Sequence, residues 1–214
     1  EFTLAATDQE YFPEWILSGT ALVDTSTFAR TYDQAQWANA FGMSNTAVPI
    51  AREAGGFYFL YEWFHGEAPP APNRIAAQWQ ASLTFALLQG VGPDLTHENY
   101  ADAMLASAPT GRGGITTPSI SWGSDNELWP EDVLPDLNGI DDVSEVWWDP
   151  DTVGLDELER EGAGVYQYVD GGTRYLPGQW PDTDSKVFDP DGAIDRYFTP
   201  PESERTPDYP SPAG

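Results

Sequence analysis

The sequence contains no cysteine. Disulfides, thiolate metal sites and a cysteine nucleophile are therefore excluded for these residues. Bases are almost as scarce: one lysine, Lys186, and eight arginines stand against 35 acids, a formal charge of -26. A nucleic-acid backbone or an anionic membrane surface would repel such a chain, so nucleic acid is not an expected partner. The two histidines, His65 and His97, are too few for a three-histidine zinc site. Any Ser-His-Asp arrangement would depend on one of them, and no G-x-S-x-G elbow is present to carry the serine. No apolar run approaches the roughly 18 to 20 residues needed to span a bilayer. The opening "EFTLAATDQEYFPEW" lacks both Met and the pattern of a signal peptide, and reads as the start of a mature or truncated chain.

What is present is enough for a core. The 214 residues are 40 % apolar and 14 % aromatic, a length that accommodates one large domain or two small ones. Charge is unevenly spread: residues 1–120 carry a net -8 and residues 121–214 a net -18. From Pro181 onward the chain is proline-rich and acidic with few aliphatics, too little apolar surface to offset chain entropy. The expected organisation is a folded body over 1–181 and an acidic extension over 182–214, ordered only where it drapes over something.

Within the body, "EWILSGTALVD" reads as a buried strand, followed by a helix capped by Ser26 or Thr27 and running through Phe28, Tyr32 and Trp37. The aromatic run Gly55 to Gly66 reads as helix or strand, the spacing of Phe57, Leu60, Tyr61 and Phe64 fitting a helical stripe slightly better. The spacing of Ile75, Trp79, Leu83, Ala86 and Leu87 predicts a helix from about Asn73 to Gln89. Thr96 caps a further helix through Tyr100 and Leu105, ended by Pro109. Short strands are expected at "ITTPSISWG", at "SEVWWD" and in a hairpin turning at Asp170-Gly171-Gly172. The fold class is mixed α/β.

The stretch "EVWWDPDTVGLDELE", Glu145 to Glu159, sets two indoles against a run of carboxylates. Counted as a calcium loop from Asp149, it has Asp151 at position 3 and Gly154 at position 6, but Val153 stands at position 5 and Arg160 at position 12. The bidentate carboxylate is missing, and "DLNGIDD" and "DPDGAID" fail similarly, so acidic turns are expected and no metal or cofactor is assigned. Glycosidases also set a carboxyl pair about 5 to 9 Å apart beside stacking tryptophans. With 35 acids such a pair arises by chance. The glycines of "TGRGG" lack the Lys-Ser/Thr of a phosphate loop.

Several phrases in order resemble one family: "PEWILSGTALVDTSTFARTYDQAQWANAFG", "AAQWQASLTFALLQGVGPDLTHENYADAM", "TTPSISWG", "SEVWWDPD" and "DGGTRYLPGQWP". They are similar to the C-terminal portion of actinobacterial ABC-transporter substrate-binding proteins of the branched-chain amino acid (leucine-binding) type, over roughly Thr3 to Pro181. The softer family pattern around "G..LT.EN" is met by Gly92, Leu95, Thr96, Glu98 and Asn99. The resemblance implies a fragment of a type I periplasmic-binding fold: part of the second of two α/β lobes, with a return crossing near Gly55 to Gly66 and terminal elements that pack on the first lobe. It implies a binding protein and not an enzyme, held outside the membrane by an anchor absent from this chain. Its implied partners are a small solute, an ABC permease and the N-terminal lobe of the same protein. Tyr61, Trp63 and Trp122 are the expected solute-contacting aromatics. The alternative, a carbohydrate-active enzyme or carbohydrate-binding module, rests on the abundance of tryptophan and carboxylate alone.

Overall fold

The structure, a computed structural model, describes residues 1–70, 78–111, 113–123, 139–176, 178–205, 210 and 212, without the side chains of residues 56, 57 and 78–82. The chain is mixed α/β and divides into two compact units. A sheet unit comprises Glu1–Pro49, Gly111–Ser119 and Ile140–Tyr197; a helical unit comprises Ile50–Thr110, Ile120–Gly139 and Phe198–Gly214.

The sheet unit opens with helix α1 (Phe2–Asp8) and strand β1 (Trp15–Leu17). The expected strand "EWILSGTALVD" ends at Leu17, because Gly19, Ala21 and Leu22 all take positive φ, of 68°, 56° and 62°, and turn the chain out of the sheet. Nor is the next helix continuous. It is two single turns, α2 (Ser26–Ala29) and α3 (Gln34–Trp37), the second started by Asp33, whose carboxylate accepts the Gln36 N–H at 3.2 Å. Strand β2 (Ala40–Ser44) then lies parallel to β1, with Ile16 opposite Phe41.

Long strand β3 (Val143–Leu155) runs antiparallel to β2, and β4 (Glu161–Tyr168) returns antiparallel to β3. The expected strand "SEVWWD" thus continues well past Asp149 through a bulge between Asp149 and Val153. The hairpin turn falls at Asp156–Arg160, not at Asp170-Gly171-Gly172. After Asp170-Gly171-Gly172, β5 (Arg174–Tyr175) pairs with β3 again, so β4 and β5 follow one another along the same edge of β3. The interruption needs Asp170 and Gly171 in the left-handed region, φ 49° and 65°.

One face of the sheet is the core. Leu17, Ala40, Val146, Trp148, Tyr166 and Tyr168 pack with Ala29 and Trp37 from α2 and α3. Its polar atoms are paired internally: Trp37 Nε1 donates to Tyr166 Oη at 3.0 Å, Tyr166 Oη donates to the Val23 carbonyl at 2.7 Å, and Trp148 Nε1 donates to Gln34 Oε1 at 2.9 Å. Gly164 permits this packing, because its φ is +88° and a Cβ there would lie 2.2 Å from Trp148 Cζ2. The acidic extension drapes over the unit, with Ile194 bridged to Tyr168 and the Tyr197 N–H bonded to the Pro49 carbonyl.

The helical unit contains α4 (Gly56–His65), α5 (Gln78–Val91) and α6 (His97–Leu105). All three follow the sequence reading; the expected start of α5 near Asn73 lies outside the described residues. Gly66, with φ 72°, closes α4, and Thr96 Oγ1 accepts the Asn99 N–H at 3.1 Å to cap α6. The expected strand "ITTPSISWG" is reduced to a bridge between Thr110 and Ile120.

Candidate functional site

All three aromatics expected to touch solute belong to the helical unit. Tyr61 and Trp63 are half-buried on α4. Tyr61 stacks on His65 one turn later, ring centroids 4.2 Å apart, and the Trp63 indole N–H donates to the Pro210 carbonyl at 3.1 Å. Trp122 lies beyond the Thr110–Ile120 bridge. Its ring covers Gly139, where a Cβ would come within 2.5 Å of the indole. Trp122 lines an apolar cavity of about 160 Å³ with Leu83, Ala86 and Leu87 of α5, Ala103 of α6 and Ile120. Neither Tyr61 nor Trp63 contributes to that lining. The cavity walls are mainly hydrocarbon, with side-chain hydroxyls from Ser107 and Thr110. Such a space suits an alkyl or aryl group and offers no charge to orient a zwitterion.

The stretch from Glu145 to Glu159 proves to be scaffold. Trp148 is fully buried in the core and Trp147 is buried on the opposite face of the sheet. Several carboxylates along this stretch are committed to the protein itself. Asp149 accepts the N–H groups of Asp151 and Thr152 at 3.0 and 3.2 Å and the Thr152 hydroxyl at 2.6 Å, which closes the bulge. Asp156 accepts the N–H groups of Leu158 and Arg160, both at 2.9 Å, and pairs with the Arg160 guanidinium at 2.7 Å. Burial pushes the Asp156 carboxyl up, but these Arg160 and Leu158 contacts outweigh it and hold the group below its ordinary value of 3.8. Glu157 reaches back to the start of α2, where it accepts the N–H groups of Ser26 and Thr27 at 2.7 and 2.8 Å. Among the described residues no group of three or more His, Asp or Glu side chains is arranged to hold a metal ion.

Sequence reasoning missed the residue that organises this hairpin. Arg30, on the far side of α2, donates to the carbonyls of Gly154, Arg160, Gly162 and Gly164 at 2.9 to 3.0 Å and lies 3.5 Å from Asp156. One guanidinium thereby caps both strands. The only local signal was the scarcity of bases, which gives each arginine a high chance of a dedicated carboxylate. Arg174 repeats the pattern, its side chain buried against Asp142 at 2.7 Å. Burial also raises the hydroxyl pKa of Tyr166 and of Tyr168 far above the usual range, so both stay neutral hydrogen-bonding groups.

The chain matches no protein-family model, no curated protein and no solved structure. No helix among the described residues is long and apolar enough to cross a membrane.

Proposed function

We propose that these residues belong to an extracytoplasmic solute-binding component of an ABC importer, built on a type I periplasmic-binding fold. In this reading a small solute, an amino acid or related compound, is captured between two lobes and delivered to the permease. The observation that carries the reading is the path of the chain. It leaves the sheet unit after Pro49, just ahead of the Gly55 to Gly66 stretch where the resemblance places a return crossing and where the chain forms α4, and Gly111–Ser119 and Ile140–Tyr197 belong to the sheet unit again. In this reading both units belong to the second lobe, and the repeated passage of the chain between compact units is the style of connectivity on which hinged folds are built.

Within this reading the N-terminal lobe of the same protein supplies most polar contacts to the solute, and Tyr61, Trp63 and Trp122 supply aromatic ones. The protein acts outside the membrane, held by an anchor outside residues 1–214, and works by binding rather than catalysis. The carbohydrate alternative gains nothing from the tandem indoles, because Trp147 and Trp148 are buried and present no stacking face. Native mass spectrometry of the full-length protein, purified without denaturation, tests the proposal. A retained small solute whose occupancy falls in a Trp122→Ala variant is the expected result. Polysaccharide hydrolysis that disappears when one Asp or Glu is neutralised would replace this reading with the carbohydrate one.

A further inference from the structure

The acidic extension is held to the sheet unit in two different ways, and the change falls at Gly192. Residues 192–197 are tied through the backbone. The Gly171 N–H donates to the Gly192 carbonyl at 2.7 Å, Tyr168 and Ile194 exchange a pair of bonds at 2.8 and 3.0 Å, and the Tyr197 N–H reaches the Pro49 carbonyl at 2.9 Å. Residues 182–191 make no backbone–backbone bond to the sheet among the described residues. The N–H groups of Asp189 and Asp191 are turned inward instead, to the Lys186 carbonyl at 3.1 Å and the Asp189 carboxylate at 2.9 Å. Side chains alone fasten this segment. The Ser185 hydroxyl donates to Glu145 at 2.6 Å, Lys186 pairs with Asp170, and the Phe188 ring packs edge-on against Phe41 and Trp147, centroids 5.7 and 5.8 Å apart.

These fastenings are weak or strained. Ser185, Lys186 and Asp170 are exposed, and an ion pair in solvent contributes little and is screened by salt. The segment carries Asp182, Asp184, Asp189 and Asp191 against the one base Lys186, on a chain of net charge -26, so its surroundings repel it. Phe188 reaches its seat only with φ +64°, a conformation that bulky side chains rarely take and that the packing must hold in place. Trp147, against which it packs, is buried, yet its indole N–H has no hydrogen-bond partner among the described residues. A buried donor left unpaired is costly. Movement of Phe188 away from Trp147 would relieve the first strain and give the indole N–H to water.

We infer that residues 182–191 form a lid over Trp147 that opens while the sheet stays folded, so that the chain itself gates access to this indole. Gly192, with φ 78° and no atom within 4 Å of where a Cβ would sit, is the hinge at one end. Trp180, stacked on Tyr175 of β5 at 5.0 Å, is the fixed point at the other. The inference concerns the sheet unit alone and does not depend on solute capture. Hydrogen exchange of the indole protons, followed by NMR in protein labelled with 15N at tryptophan, tests it, with the Trp147 signal identified by its loss in Trp147→Phe. Trp37 and Trp148, whose N–H groups are paired inside the core, report opening of the sheet itself. In the native protein the Trp147 proton should exchange about tenfold faster than that of Trp148, and at a rate that low urea leaves unchanged while it speeds Trp148. Release of the two polar fastenings in Ser185→Ala/Lys186→Ala should speed Trp147 about fivefold further, the effect of two exposed polar contacts, with Trp37 and Trp148 unaltered. Exchange of Trp147 that follows Trp148 through the urea series would mean that only unfolding of the sheet bares it, and the lid would be overturned. An unchanged Trp147 rate in the double variant, or an equal acceleration of all three indoles, would overturn it as well.

Discussion

The start of a helix is stabilised in opposite ways in the two units. In the sheet unit the first N–H groups of α2 are satisfied by Glu157, a residue 131 positions away in sequence. In the helical unit the first turn of α6 is closed by Thr96, three positions away. The same contrast runs through the packing. Of the buried aliphatic and aromatic residues other than proline among the described ones, only Leu87 belongs to the helical unit, while the sheet unit holds the rest, Trp37, Trp147, Trp148, Tyr166 and Tyr168 included. The ion pairs of Arg30, Arg160, Arg174, Lys186 and Arg196 also lie in the sheet unit. The buried core and its charged contacts thus draw on distant partners in the sheet unit, where only α3 has a local side-chain cap, from Asp33, while α6 starts on a local cap alone.

The largest effect should come from removing a long-range partner in the sheet unit. Trp148→Ala deletes a fully buried indole, its bond to Gln34 and its edge contact with Tyr166 at 5.0 Å. A loss of about 3 to 5 kcal/mol is expected. Trp122→Ala, which removes a half-buried ring from a cavity wall, should cost about 1 kcal/mol. Urea unfolding of the two variants measures the difference. Equal losses would erase the distinction between the units. Trp147→Ala extends the test: it should lower stability more than solute affinity, and the reverse would return the tandem indoles to the list of candidate contacts.

A smaller, pH-dependent effect is expected at Asp156. Folding lowers its pKa, so its contribution is in full force above the ordinary value of 3.8 and is lost as pH falls through the lower, folded-state value. Asp156→Asn keeps the shape of the side chain but removes the charge that Arg160 and Arg30 address. At pH 7 the variant should be less stable by about 1.5 to 3 kcal/mol, the range for a hydrogen bond to a charged group. Below pH 3.8 the gap should narrow, because the native carboxyl is then being neutralised as well. Stability curves against pH for the two proteins decide it. A gap that stays constant down to acid denaturation would mean that the hairpin is held by Arg30 and its carbonyl contacts alone.

These partnerships also explain what could be read from the sequence. The three helices of the helical unit were legible because their signals are local: the stripe of α5, Gly66 after α4, Thr96 before α6. The fold class and the strand through Trp147 and Trp148 were legible from composition and β propensity. The left-handed turns at Ala21 and Leu22 were not, since neither residue type announces a positive φ. The hairpin at Asp156–Arg160 was hidden by its carboxylates, which resemble a metal loop until Arg30 and the α2 N–H groups are seen to occupy them. Of the candidate site, the sequence located each aromatic near a helix or turn, but the cavity lined by Trp122 depends on how the chain folds back between Thr110 and Ile120.

Thr96→Ala should produce the smallest change. Its hydroxyl satisfies one orphan N–H at the start of α6, and the loss of such a cap costs about 1 kcal/mol. The cost should stay local, because none of the residues of α6 is buried and the helix carries no ion pair among the described ones. Amide exchange is the suitable measurement. Protection should fall across His97–Leu105 while the amides of β3 and β4 keep their rates. Uniform loss of protection in both units would show that they unfold as one body rather than as separately stable regions.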